Sequence, residues 1–447
     1  MTDKPNTHRE NMARKVFISF LGATNYGACH YCRTDEKGVF KSDETRYVQV
    51  ATLDYLTSRE SWSKDDVALI LLTRMSHERN WVDNGHTDHA THQAIEAPGL
   101  RSCLASRGYP MSVKTLERLP DGNNQEEILE IFLQLFDEIQ EGDELYFDIT
   151  HGFRYLPMLV VSLGNYAKFL RGSTVKRITY GNFEARDRVT NEAQIMDLMS
   201  LSQLQDWTHA AAVLIQHGDA RPIKEIFEKR AHVVDERQPD GDASQAVNGF
   251  INNLVAVTSE IQTCRGTSIL KATNIKAMMQ SLAQLQAIMP KPLSPIIEKI
   301  SDSFSQYRTE FDVNNGWLAA QWSLRHHLLQ QAATILQENA VSYFCLRNDI
   351  RVFDEHRREF VNGAIFIASR QLPQSEWKFR SDREIDIIER LLDDEKLTSR
   401  QFLETFNALS EIRNDLNHFG MRKKTKQWNE IQQIIENSYS ILVNLLK

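Results

Sequence analysis

Cysteine is scarce in this chain, with five among 447 residues and therefore an odd number. That excludes the disulfide framework of a small secreted scaffold. Long apolar runs are also missing, and none approaches the roughly 18 residues of a membrane helix. The opening MTDKPNTHRENMARK has no apolar stretch of the secretory kind, so a cytoplasmic protein without membrane contact is expected. There is no positive excess: the net charge is −8 and the pI near 6.0. No global basic field draws long nucleic acid, and such a role must rest on a local site. No G-x-G-x-x-G follows a strand-like run, which argues against a nicotinamide cofactor. Cys29 and Cys32 give the C-x2-C spacing once. Zinc needs about four ligands and no second pair follows, so free thiols and no metal are expected.

The composition that is present is ordinary for a folded chain: 41% hydrophobic, 25% charged, mean hydropathy −0.43. At this length, about two or three domains are expected. The first two hundred residues alternate strand and helix patterns. Lys15–Leu21 (KVFISFL) is a short β-rich run that ends in turn residues, Gly-Ala-Thr-Asn-Tyr-Gly. Val67–Thr73 (VALILLT) reads as a strand buried on both faces of a parallel sheet. Residues 126–139 carry helical periodicity, 145–149 a strand, 155–170 a helix and 175–180 a strand. This alternation predicts a Rossmann-like α/β domain whose ligand lies at the carboxyl ends of the strands. The loops 22–27 and 150–154 fall there.

In the second loop, Asp148 and Thr150 can bond the turn's own backbone, and Gly152 permits a close approach. His151 and Arg154 can reach a phosphate or a base, and Phe153 can stack on one. The plainer alternative is that Asp148, Thr150 and Gly152 only shape the turn. From about Met199 the texture becomes helical. A helix is expected over 206–216 with Asp206 at its cap, then a polar surface loop over 231–245 and a break at 291–295. Further helices are expected at 319–340, 341–362, 382–396, 399–418 and 425–446.

Near the C-terminus stands Arg413-Asn414-Asp415-Leu416-Asn417-His418. Arginine can stabilise charge on a phosphorane, and histidine can move a proton near neutral pH. At about 100° per residue, Phe402, Phe406, Leu409, Ile412, Leu416 and Phe419 form one apolar stripe. Arg413 falls inside the stripe, where it needs a partner such as Glu411, Asp415 or a group on a neighbouring helix. His418 lies about 140° away on an ideal helix. Either the helix distorts near Gly420, or two copies pool their motifs around a two-fold axis. Arg351 and His356 repeat the spacing off their helix's apolar stripe and read as a solvated face.

DITHG followed by FRYLP, the opening FLGATNY, and the later YGNF and DW-x7-IQHGD stretches resemble the CRISPR-associated DxTHG-motif proteins over roughly residues 15–220. These are type III accessory proteins with an N-terminal CARF sensor domain and a C-terminal HEPN ribonuclease domain. The resemblance implies a sensor at 1–200, a helical connector at 201–330 and a HEPN domain at 331–447. It implies a cyclic oligoadenylate, foremost cyclic tetra-adenylate, on Gly22, Ala23, Thr24, Asn25, Tyr26, Thr150, His151, Gly152, Phe153 and Arg154. It further implies metal-independent cleavage of single-stranded RNA by Arg413, Asn414 and His418 in a homodimer or higher even-numbered oligomer, with no cofactor and no stable DNA binding. A ligand-responsive regulator and a ring nuclease that degrades the oligoadenylate are the alternative readings.

Overall fold

The computed structural model describes residues 13–88, 91–231, 241–286 and 291–447. The chain divides into two compact units, Met1–Gln203 and Leu204–Lys447.

The N-terminal unit is built on eight strands: β1 (Lys15–Leu21), β2 (His30–Asp35), β3 (Gly38–Lys41), β4 (Val67–Thr73), β5 (Ser112–Leu119), β6 (Glu144–Asp148), β7 (Thr174–Gly181) and β8 (Glu192–Asp197). They form one sheet in the order β3-β2-β8-β7-β6-β1-β4-β5. The five strands β7, β6, β1, β4 and β5 run parallel, and β7–β8 and β2–β3 are antiparallel pairs. In register, Ser19 of β1 lies between Ile70 of β4 and Asp148 of β6.

The period-2 alternation of β1 explains the layers. Phe17 and Leu21 pack on one face with the helices Val48–Arg59 and Leu100–Arg107. Val16, Ile18 and Phe20 pack on the other with Gln125–Glu138 and Leu156–Arg171. A parallel strand covered on both faces needs an unbroken apolar run, which is why β1, β4, β6 and β7 are legible in the sequence. The strands β2, β3, β5 and β8 were not expected. The edge strands β3 and β5 are largely exposed, so they carry little of that signature.

The C-terminal unit is helical. Its helices share one apolar core that runs from Trp207 to Leu446, so those before and after residue 330 pack together. Two expectations are corrected here. The helices expected at 319–340 and 341–362 are Asn314–Arg325, Leu329–Arg347 and Glu355–Arg370. Their breaks fall at left-handed His327 (φ 57°) and Asp349 (φ 54°). Leu329–Arg347 is buried around most of its circumference and lacks the one-sided stripe that would set its phase. Asp206 is not a cap, because the helix around it begins at Met199. Of the polar stretch 231–245, the first residue ends the helix Arg221–Ala231, residues 232–240 lie outside the described residues, and the last five open the helix Gly241–Gln262. Cys29 and Cys32 are buried thiols, and burial pushes both above the usual thiol range. Among the described residues no helix is long and apolar enough to cross a membrane.

Candidate functional sites

In the N-terminal unit, β1 and β6 are adjacent and parallel, with β4 beyond one and β7 beyond the other. The β1-to-β4 and β6-to-β7 connections carry their helices, Val48–Arg59 and Leu156–Arg171, on opposite faces of the sheet, and this opens a crevice at the carboxyl ends of β1 and β6, the usual ligand position in an open α/β sheet. Asp148, at the end of β6, is buried and accepts hydrogen bonds from Ser19 Oγ (2.7 Å), Thr150 N (3.2 Å) and Thr150 Oγ1 (2.5 Å). Burial pushes its carboxyl up, and those bonds pull against the rise. Thr150 Oγ1 in turn accepts from the amide of Gly181 on β7 at 2.8 Å. Asp148 and Thr150 thus lace three strand ends together. Gly152 sits at φ 119°, and a Cβ there would lie 2.1 Å from Leu156 Cδ1 and 3.3 Å from Phe20 Cβ. Only glycine suits that position.

The loop after β1 is equally fixed. Asn80, fully buried, donates from Nδ2 to the carbonyls of Gly22 and Thr24, both at 2.8 Å. His86 Nε2 lies 3.0 Å from Asn80 Oδ1. Gly22 lies under Tyr26, whose hydroxyl would be 2.4 Å from a Cβ at that position. The ring of Tyr26 stacks on His151, with centroids 4.0 Å apart and planes 23° from parallel. Burial lowers the His151 imidazole to about 4 and raises the Tyr26 phenol. Both rings are therefore neutral near pH 7, and the His151 Nε2 is buried with no hydrogen-bond partner among the described residues.

These loops enclose a cavity of about 370 Å³. Thr24, Asn25, Tyr26, Thr150 and His151 line it, together with Arg46, Tyr180 and Phe183, which sequence reasoning missed. Of the other expected residues, Gly22 and Gly152 support the loops, and Ala23 is half-buried outside the lining. Phe153 stacks on Tyr155 and borders a separate, smaller cleft with Gly152, while Arg154 is exposed. Arg46 Nε donates to the Tyr26 carbonyl at 3.1 Å, and its Nη2 bonds the Asn25 side chain. It stands just before the helix Val48–Arg59, in no motif. Phe183 lies in the YGNF stretch, which did carry a signal.

An aromatic stack, a further ring and one guanidinium suit a ligand with flat bases and phosphates. Glu184 adds an opposing charge to the lining, so Arg46 carries the attraction for phosphate. Arg46→Ala should cost about 1.5–3 kcal/mol of affinity for such a ligand, the usual worth of a charge-assisted bond. Calorimetric titration checks this. Unchanged affinity would mean that the guanidinium serves only to hold the loop.

In the C-terminal unit, Arg413 lies on the helix Arg400–Asn417. Its partner is on a neighbouring helix: Nη1 contacts Glu338 Oε1 at 3.2 Å, 75 residues away in sequence. Glu338 is half-exposed and is shared with Arg358, whose Nη2 is 2.8 Å from Oε2. Asn414 is exposed on the same helix. The helix ends at Asn417, and His418 caps it with φ −94° and ψ 18°, leaving its side chain exposed. Phe419 (φ 57°) and Gly420 (φ 65°) then turn the chain left-handed. That turn follows His418, whose N still donates to the Asn414 carbonyl at 3.0 Å, so the helix between Arg413 and His418 is unbroken. Phe419 is also not part of the apolar stripe, being 85% exposed, whereas Phe402, Phe406, Leu409 and Ile412 are buried. Asp415, between the two motif residues, is buried and accepts from Lys426 N (3.1 Å) and Thr425 Oγ1 (3.3 Å). Arg351 and His356 are both exposed.

Comparison with known proteins bears on the first site. Residues 16–184 match the family described as the CARF domain of the CRISPR system endoribonuclease Csx1. The N-terminal unit, a parallel-rich, Rossmann-like sheet followed in the chain by a helical region, is thus similar to a CARF domain over that range. The chain is 22% identical over 332 residues to the CRISPR-associated protein MJ1674 of Methanocaldococcus jannaschii. That alignment spans 73% of this chain and 45% of the relative, under half of the relative's length.

Proposed function

We propose that the protein is a ribonuclease gated by a cyclic oligoadenylate in type III CRISPR defence. The reading rests above all on the crevice between β1 and β6, where stacked aromatic rings and Arg46 stand within the segment matched to a CARF domain. Adenine has a flat face for Tyr26, His151 or Phe183, and each linking phosphate carries one negative charge for Arg46. A ring with internal symmetry is read by a two-fold pair of such sensors, and we take the working form to be a homodimer.

The helical unit would supply the cutting site. Among the described residues only Nη1 of Arg413 is engaged, which leaves its other donors for a phosphate. Cleavage begins when the 2′-hydroxyl of RNA attacks the adjacent phosphorus. The 5′-oxygen leaves and takes up a proton, giving a 2′,3′-cyclic phosphate and a 5′-hydroxyl. Arg413 stabilises the charge that develops on the phosphorus oxygens. His418, exposed at the end of the helix, removes or delivers the proton. Asn414 orients the phosphate. DNA lacks the attacking hydroxyl and is not cut.

The test is cleavage of a fluorescent single-stranded RNA with cyclic tri-, tetra- or hexa-adenylate added in turn. One ring size, foremost the tetra-adenylate, should switch cutting on. If no ring does so at any protein concentration, the reading fails. The unpartnered Nε2 of His151 favours one second reading, a slow breakdown of the ring in its own pocket. Chromatography of the ring after incubation reveals it.

A further inference from the structure

Immediately after His418 the chain runs Phe-Gly-Met-Arg-Lys-Lys-Thr-Lys-Gln-Trp, residues 419–428. Arg422, Lys423, Lys424 and Lys426 place four cations within five positions of a chain whose net charge is −8. All four are exposed, and among the described residues none forms an ion pair. The same ten residues expose three large apolar side chains, Phe419 (85%), Met421 (80%) and Trp428 (72%). Of the seven tryptophans, the other six are at most 8% exposed. A tryptophan left in water, nine residues after an exposed phenylalanine, calls for an occupant.

The segment is also held in place. Gly420 N donates to the Asp415 carbonyl and Met421 N to the His418 carbonyl, both at 3.0 Å. At the far end Lys426 N and Thr425 Oγ1 return to the Asp415 carboxylate. Asp415 is 4% exposed, so a buried acid ties both ends of the strip beside His418.

We propose that residues 419–428 grip single-stranded RNA: Phe419 and Trp428 stack on bases while Arg422, Lys423, Lys424 and Lys426 follow the phosphates. Charge decides between occupants. A second copy seated on this strip by two-fold symmetry would set four cations against four, whereas a single strand brings one negative charge per nucleotide together with flat apolar bases. Base–aromatic stacking is tolerant of sequence, so the strip supplies affinity with little base preference. The proposal deepens the ribonuclease reading by assigning the contact that holds the substrate next to His418.

The test separates binding from cutting. The full-length His418→Ala chain is titrated with a fluorescent single-stranded RNA over a range of salt. Trp428→Ala in that background should weaken binding about 5- to 100-fold. The pair Lys423→Ala and Lys424→Ala should lower the slope of log affinity against log salt by about 1.4, at about 0.7 per single-strand phosphate. These side chains are exposed, so thermal unfolding should not move, and Arg351→Ala should bind as the parent does. The same variants are run by size exclusion and on anionic phospholipid vesicles. The proposal is overturned if affinity and slope are unchanged, if Trp428→Ala turns a dimer into monomers, or if only vesicle binding is lost. RNA that is bound through the strip but never cut by the wild type would sink the ribonuclease reading and leave this one standing.

Discussion

His418→Ala is expected to lower RNA cleavage by about 10²–10⁴-fold at saturating activator, the usual cost of removing a positioned acid or base. His356→Ala, the same spacing on an exposed face, should leave cleavage as it was. The contrast matters because the R-x4-H spacing is cheap in a charged chain, and structure rather than spacing separates the two. Arg413 is bound to Glu338 on a packed neighbour, and His418 closes the same helix just before a left-handed turn. Arg413→Ala should be similarly damaging. Arg413→Lys should restore little, because an ammonium lacks the planar fork that matches a phosphate. Single-turnover assays with a reporter RNA measure all four variants. Undiminished cutting by His418→Ala would place the chemistry elsewhere.

Acidification is expected to loosen the sensor crevice. In the folded chain His151 titrates near 4, because its imidazole is buried against Tyr26, while an unfolded histidine titrates near 6.5. The folded state therefore binds this proton more weakly. Its stability is fully present above about pH 6.5 and is lost as the pH falls through 4. The interval corresponds to about 3 kcal/mol, at roughly 1.4 kcal/mol per pH unit. Asp148 works in the other direction, since its carboxyl is raised by burial and protonation there favours the fold. The readout is thus the difference between wild type and His151→Gln in chemical unfolding from pH 7 to 4. Glutamine removes the titration, so its curve should lack the acid loss carried by His151. Parallel curves would show that the imidazole is more open to water than its geometry implies.

Much of the first unit was legible because burial leaves a local mark. The apolar runs of β1, β4 and β6 are covered by helices on both faces, and turn residues follow β1 and β6. The loops at 22–26 and 150–154 were accordingly placed at strand ends. Their division of labour was less visible. Thr24, Asn25, Tyr26, Thr150 and His151 line the cavity, whereas Gly22 and Gly152 make room for Tyr26 and Leu156. In the helical unit the stripe from Phe402 to Ile412 was readable. The phase of Leu329–Arg347 was not, because a helix buried on most sides has no polar face to mark its ends.

The sequence by itself determined the elements whose covering is local: the parallel strands, the amphipathic helices and the turn residues at strand ends. Only the tertiary structure decided which distant side chains meet. Arg46 reaches the loop of Asn25 and Tyr26 across about twenty residues, Asn80 holds Gly22 from 58 residues away, and Glu338 meets Arg413 across 75. Periodicity reports how each segment divides between core and water. It carries no term for partners far along the chain, because those contacts are fixed by strand order and helix packing.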